Sequence, residues 1–142
     1  MIGFAVSLAL MSGVSQNADA PARARQFLEA FAADPVSAKQ FVTKDATIIM
    51  GDIGGSYDDY VKVIRTEAPD WLKTCQVVRL EEKPSPTTEE LKDGPPRYQG
   101  GKISVLNGSF SCARQDGSKS DREFTVVMKG DQVVDLYLGD GR

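Results

Sequence analysis

The sequence predicts an α+β domain in which N-terminal helices cover one face of a strongly curved antiparallel sheet. Apolar residues recur at helical spacing as far as about Thr66. From Cys75 onward the period drops to two, and tight-turn signals separate four strand candidates. The chain has 142 residues, which suits one compact domain and leaves no room for two independent cores. With 41% hydrophobic and 26% charged residues it is built like a folded globular protein, neither a disordered tail nor a fibre.

Ile2 to Met11 is apolar apart from Gly3 and Ser7, and small polar residues follow it as far as Ala18-Asp19-Ala20. A run of roughly ten apolar residues is too short to span a bilayer and suits a secretory signal. Residues 1–20 are therefore read as a signal peptide and 21–142 as the working domain. No Lys or Arg precedes the run, and Pro21 would follow the cut, so a buried N-terminal helix is the competing reading.

Ala24, Phe27, Leu28 and Phe31 sit at i, i+3, i+4 and i+7, which predicts an amphipathic helix opening at Pro21. Asp34-Pro35 ends it, because a residue before proline is pushed out of the α region. Val36 to Val42 predicts a second helical piece ended by Lys44-Asp45. The run ATIIM reads as a strand and GDIGGS as a glycine-rich turn. Ser56 followed by Asp59 resembles a cap for a third helix carrying Tyr57, Tyr60, Val61 and Ile64. The four strand candidates are CQVVRLEEK, KISVLNGSFSCARQ, REFTVVMK and QVVDLYL. Asp116-Gly117 and Gly130-Asp131 supply the positive φ that tight hairpin turns demand. The loop 84–101 holds four of the seven prolines, and loops of that length are either functional or a lightly packed hairpin tip.

Cys75 and Cys112 both lie in strand-like runs, and an even cysteine count behind a signal predicts one disulfide between them. An antiparallel register that joins 75 to 112 also sets Val77 opposite Phe110, a sensible apolar pair. Buried free thiols are the alternative.

The phrases RQFLEAFAADP, FVTKDATIIMGDIGG, SYDDYVKVI and QVVDLYLG, in that order, resemble the NTF2-like superfamily. That group includes ketosteroid isomerase, scytalone dehydratase and the SnoaL-like cyclases. The resemblance covers about residues 22–139. It implies a cone-shaped NTF2-like, or cystatin-like, fold with a pocket between helix and sheet, and dimers formed through the outer sheet face. Ketosteroid isomerase-like sequences carry a general-base aspartate shortly after the D-A-T phrase. Here that position falls on Met50 or Gly51, with Asp52 next, either a displaced base or a turn residue. The dehydratase-like members use histidines.

This chain has no histidine, which excludes Ser-His-Asp and Cys-His nucleophiles and every imidazole metal site. A net charge of -3 offers no basic footprint for nucleic acid. Carboxylate and tyrosine chemistry remains, with Asp52, Tyr57 and Asp135 as catalytic candidates. Tyr57, Tyr60, Trp71 and Tyr98 are candidate ligand-binding aromatics, and core packing is the plainer role for Tyr60. Strict alternation in QVVDLYL puts Val133, Asp135 and Tyr137 on one face and Val134, Leu136 and Leu138 on the core face, so Asp135 is expected to point to solvent or a partner. No metal or cofactor is expected, and no membrane contact once the signal is removed. The sequence thus predicts an exported NTF2-like domain that binds a small apolar ligand in the cone or a protein through the sheet, a homodimer included. An isomerase, dehydratase or cyclase is the alternative.

Overall fold

A computed structural model describes residues 19–51, 53–67 and 70–139. Residues 1–18, which hold most of the segment 1–20 expected to be a signal, Asp52, residues 68–69 and residues 140–142 lie outside them. Helix α1 spans Ala20–Ala33 with proline in its first turn, and Ala24, Phe27, Leu28 and Phe31 are all fully buried, as their spacing requires. It stops where Asp34 turns extended ahead of Pro35. A 3₁₀ helix, Ser37–Phe41, takes the place of the expected second helical piece.

Strand β1 spans Val42–Met50 and runs straight through Lys44 and Asp45, which were expected to precede it. Both charges are exposed, while Ala46 and Ile48 alternate into the core. Burial of the alternate face outweighs the local breaker signal. Gly51, at φ 60°, turns the chain into β2, Ile53–Ser56, which pairs antiparallel with β1 from Met50–Ile53 to Thr47–Ser56. The glycine-rich turn is therefore shorter than expected, because the ladder to β1 holds Gly54 and Gly55 extended. Helix α2, Tyr57–Glu67, opens with the Asp59 N–H donating to Ser56 Oγ at 3.1 Å, and a 3₁₀ helix, Asp70–Thr74, follows it.

The remaining strands form a meander: β3 Gln76–Glu82, β4 Ile103–Ala113, β5 Lys119–Lys129 and β6 Gln132–Leu138. The two expected turns carry positive φ at Gly117 and Gly130. The sheet runs β2-β1-β6-β5-β4-β3 and is mixed, since β1 and β6 pair in parallel. A wholly antiparallel sheet was expected. Hairpin signals report only strands that are neighbours in sequence, and the β1–β6 seam joins two separate hairpin systems.

One face of this curved sheet packs on the helices. Phe27, Phe31, Tyr57, Leu106, Phe110, Phe124, Val126, Met128, Leu136 and Leu138 all belong to that single core. Phe31 stacks on Tyr60 at 5.9 Å, and Phe110 meets Phe124 at 5.0 Å across β4 and β5. Cys75 and Cys112 are disulfide-bonded, with Val77 opposite Phe110 just beyond them. Closing a 37-residue separation contributes about 4 kcal/mol on the chain-entropy account.

The two core tyrosines differ. Tyr57 donates to the Pro35 carbonyl at 2.8 Å, and burial pushes its phenol far above the ordinary range. The Tyr60 hydroxyl is buried without a hydrogen-bond partner, and burial pushes its pKa up to about 12, with Arg122 opposing. A phenol whose folded pKa is raised holds its proton longer in the native state. Its contribution is complete below the unfolded value near 10 and is lost as pH climbs from there toward about 12. Urea denaturation across that window is expected to show falling stability and a shallower fall for Tyr60→Phe; parallel curves for the two proteins would refute it.

Candidate functional site

The outer face of the sheet, away from the helices, holds the most concentrated polar chemistry among the described residues. Asp135 lies at its centre, and local irregularity puts it there. Met128 pairs with Val133 but Val127 pairs with Asp135, so Val134 is an extra residue in β6. The bulge resets the alternation. Val133 joins Leu136 and Leu138 in the main core, while Val134, Asp135 and Tyr137 share the outer face. The expected assignment of Val133 and Val134 is thereby exchanged, because strict period two fails across a bulge.

Asp135 faces outward as expected, yet it is 0% exposed. The covering layer is the long loop 84–101, a strap across the outer face. Its residues form a unit of their own. Helix α3, Thr88–Leu91, opens with a capping box in which Glu90 N–H donates to Thr87 Oγ1 at 3.1 Å and Thr87 N–H to Glu90 Oε1 at 2.9 Å. The 3₁₀ helix Pro96–Tyr98 follows, and the Gln99 side-chain amide donates to the Leu91 carbonyl at 2.7 Å. Leu91 and Tyr98 pack on Ile103, Val127 and Val134, and Val105 and Tyr137 border this second apolar cluster. The loop has structure of its own, yet none of its residues is buried, so it rests on the patch from outside. Its prolines and capped turn preorganise a lid for an apolar patch.

The donors around Asp135 come from three places in the chain: β1, the strap and β6 itself. Thr47 Oγ1 on β1 donates to Oδ1 at 2.5 Å, and Arg97 Nε donates to the same oxygen at 2.7 Å. Arg97 Nη2 reaches Oδ2 at 3.3 Å, the Tyr98 hydroxyl also donates to Oδ2, and the Tyr137 hydroxyl stands 3.5 Å away. The bond to Asp135 holds the Arg97 guanidinium above its ordinary pKa. Burial, with the hydrogen bond to Asp135 second, pushes the Tyr98 phenol far up. The ion pair is closed on one side only, with the Arg97 side chain 23% exposed.

A carboxylate within reach of a tyrosine is the pairing that acid–base chemistry needs, and Asp135 with Tyr98 supplies it. However, a general base needs a free lone pair that a substrate can approach. Asp135 has neither an unoccupied oxygen nor a path to solvent, so the cluster fastens the strap to β6 and β1. Thr47 and Arg97 have no place among the sequence candidates. An aspartate inside an apolar strand demands a cation, and Arg97, beside Tyr98, was the one arginine in the long loop.

The other candidates lie apart from this cluster. Tyr57 and Tyr60 belong to the helix-side aromatic core, 6.5 Å apart between ring centres. Asp52 and the Trp71 side chain fall outside what is described. Among the described residues no three His, Cys, Asp or Glu side chains gather as metal ligands.

Beyond the strap the outer face is open. A groove of about 470 Å³ is lined by Ile49, Arg79, Asn107, Glu123, Thr125 and Tyr137 and extends to the glycines at the sheet end. Ile49, Tyr137, Thr125 and Asn107 form one cross-strand row from β1 to β4. Glu123, Ser109 and Arg79 form the next row, from β5 to β3. Tyr137 thus joins the strap cluster to the groove.

Removing the carboxyl in Asp135→Ala is expected to lower the unfolding free energy by about 2 kcal/mol, since strap and β1 lose one shared charged acceptor. Urea denaturation reads it, and a loss below about 0.5 kcal/mol, the surface-substitution range, would refute the anchoring role.

No protein-family model and no curated protein matches the chain. Solved structures do. One is a protein from Sphaerobacter thermophilus, 16% identical, covering 84% of this chain and 93% of that one at TM-score 0.52. Another is an NTF2-like protein of unknown function from Shewanella oneidensis, 12% identical, covering 81% of this chain and 92% of that one at TM-score 0.54. At such identities the likeness speaks for backbone architecture alone, and it agrees with the helix-covered, curved six-stranded sheet: the chain has the NTF2-like fold.

Proposed function

We propose that this domain works by binding and not by catalysis, and that it meets a protein partner, in the first place a second copy of itself, across the outer face of its sheet. The observation that carries this reading is the placement of open space. Phe27, Phe31, Phe41, Tyr57 and Tyr60 crowd the helix side, where a cone pocket would lie, whereas the groove opens on the outer face. The buried, fully bonded Asp135 supports the same reading, because the carboxylate that meets a tyrosine is closed to a substrate.

Self-complementary charge favours a second copy. Arg79 and Glu123 sit in one row with Ser109 between them. A twofold axis lying along β4 over Ser109 would set each Arg79 against the partner's Glu123, the arrangement an isologous interface requires. Thr125→Arg places a cation in the middle of the groove and buries no new group in the monomer. Sedimentation equilibrium is expected to show concentration-dependent dimers for the native protein and at least tenfold weaker association for Thr125→Arg. Equal behaviour of the two would overturn the reading.

Export is the second part of the proposal. The Cys75–Cys112 disulfide fits an oxidising compartment, and the apolar run Ile2–Met11 fits a leader. No helix among the described residues is long and apolar enough to cross a membrane. N-terminal sequencing of exported material is expected to begin near Pro21, and recovery of Met1 there would refute cleavage.

A further inference from the structure

We infer that the open groove of the outer face is a binding site for a neutral oligosaccharide, with Tyr137 as its aromatic contact and Asn107, Glu123 and Arg79 as the groups that bond sugar hydroxyls. This goes beyond the outer-face reading above and does not depend on it, since the groove lies open in the single chain.

The lining groups admit few kinds of ligand. Arg79 only donates, the Glu123 carboxylate accepts, the Asn107 amide and the Thr125 hydroxyl do both, and Ile49 and Tyr137 offer apolar surface. An anion would meet Glu123, and the charge of Arg79 is already answered by Glu81 at 3.1 Å. Arg79 and Glu123 lie on strands two spacings apart, about 10 Å, so a free amino acid, whose two charges sit on one carbon, does not match them. A wholly apolar ligand would cover Asn107, Glu123 and Arg79 without giving them partners, which is costly. A peptide carries an amide at every step, and this face has no main-chain groups for it, because β4, β5 and β6 each lie between two paired strands. A sugar suits the whole set. Each of its hydroxyls donates and accepts, and the C–H bonds of its ring pack on an aromatic side chain.

Two of these groups are already held in place, which removes part of the ordering cost that weak hydroxyl contacts would have to overcome. Thr125 Oγ1 donates to Asn107 Oδ1 at 3.0 Å, so the amide keeps one orientation with its Nδ2 hydrogens left over. Among the described residues no hydrogen bond or ion pair engages that Nδ2 or the Glu123 carboxylate. Tyr137 is half-buried and packs on the cluster of Ile103, Val127 and Val134, with its hydroxyl 3.5 Å from the Tyr98 hydroxyl and from Asp135 Oδ2. Its ring is therefore positioned before a ligand arrives. The dimensions favour a short chain of sugars over a single ring. From Ile49 to Asn107 the row crosses three strand spacings, about 14 Å, and the groove volume of about 470 Å³ falls in the range of small-ligand sites.

Saturation-transfer NMR on the native chain tests this, with cellotriose, chitotriose and maltotriose as probes at millimolar concentration. At least one of them should receive saturation on its ring C–H protons. The same sugar should shift the Asn107 side-chain amide signal and the backbone signals of Thr125 and Tyr137, a measurement that needs no variant to fold. Asn107→Ala should weaken that binding roughly tenfold through the loss of its hydrogen bonds to the ligand, and Tyr137→Ala should abolish the saturation. No saturation from any of the three sugars would overturn the inference. Shifts confined to the helix side, around Tyr57 and Tyr60, would overturn it too, and groove shifts caused by trialanine but by no sugar would assign the groove to a peptide instead. A chain that binds sugar but never self-associates keeps this inference and removes the outer-face reading. Association without sugar binding does the reverse.

Discussion

A carboxylate without access to water has to be answered by donors from its own chain, and Asp135 draws them from β1, from β6 itself and from the strap. This requirement organises the outer half of the molecule. Thr47 ties it to the parallel β1–β6 seam, and Arg97 with Tyr98 ties the strap to the sheet. Without the bulge at Val134 the carboxylate would still face outward, but its strand neighbours would change sides. One extra residue therefore sets both the register of the core face and the composition of the covered patch.

The two faces of the sheet follow different physics. The helix side is packed with rings and aliphatic side chains, and among the described residues the Tyr60 hydroxyl is the buried side-chain group left without a hydrogen bond. The outer side combines an apolar patch, a buried ion pair and an open groove. Tyr137 stands at the boundary, with its ring in the groove and its hydroxyl near Tyr98 and Asp135. The groove and the strap are thus physically adjacent. The disulfide lies on the core face at the β3–β4 end, away from this boundary, and braces the frame.

Much of the frame was legible in the residues. Local rules covered it: helical spacing for Phe27, Leu28 and Phe31, capping by Ser56, period two in the meander, turn chemistry at Gly117 and Gly130, and the Cys75–Cys112 register. Where the local signal conflicted with burial, as at Lys44-Asp45 and at Gly54-Gly55, burial and ladder pairing prevailed. The site was only half legible. Asp135 and Tyr98 were visible as unusual residues, but their 37-residue separation gave no sign that they meet.

The sequence by itself determined the class of fold and the absence of imidazole chemistry and pointed to the register that pairs the cysteines, because each depends on residue identity or on contacts between neighbouring elements. Only the tertiary structure decided that β1 joins β6 in parallel, that Val134 bulges, and that the long loop folds back to seal Asp135. Those outcomes depend on which distant surfaces meet. A buried charge makes that choice specific, since only a position that brings Arg97, Tyr98 and Thr47 to the same carboxylate leaves it satisfied.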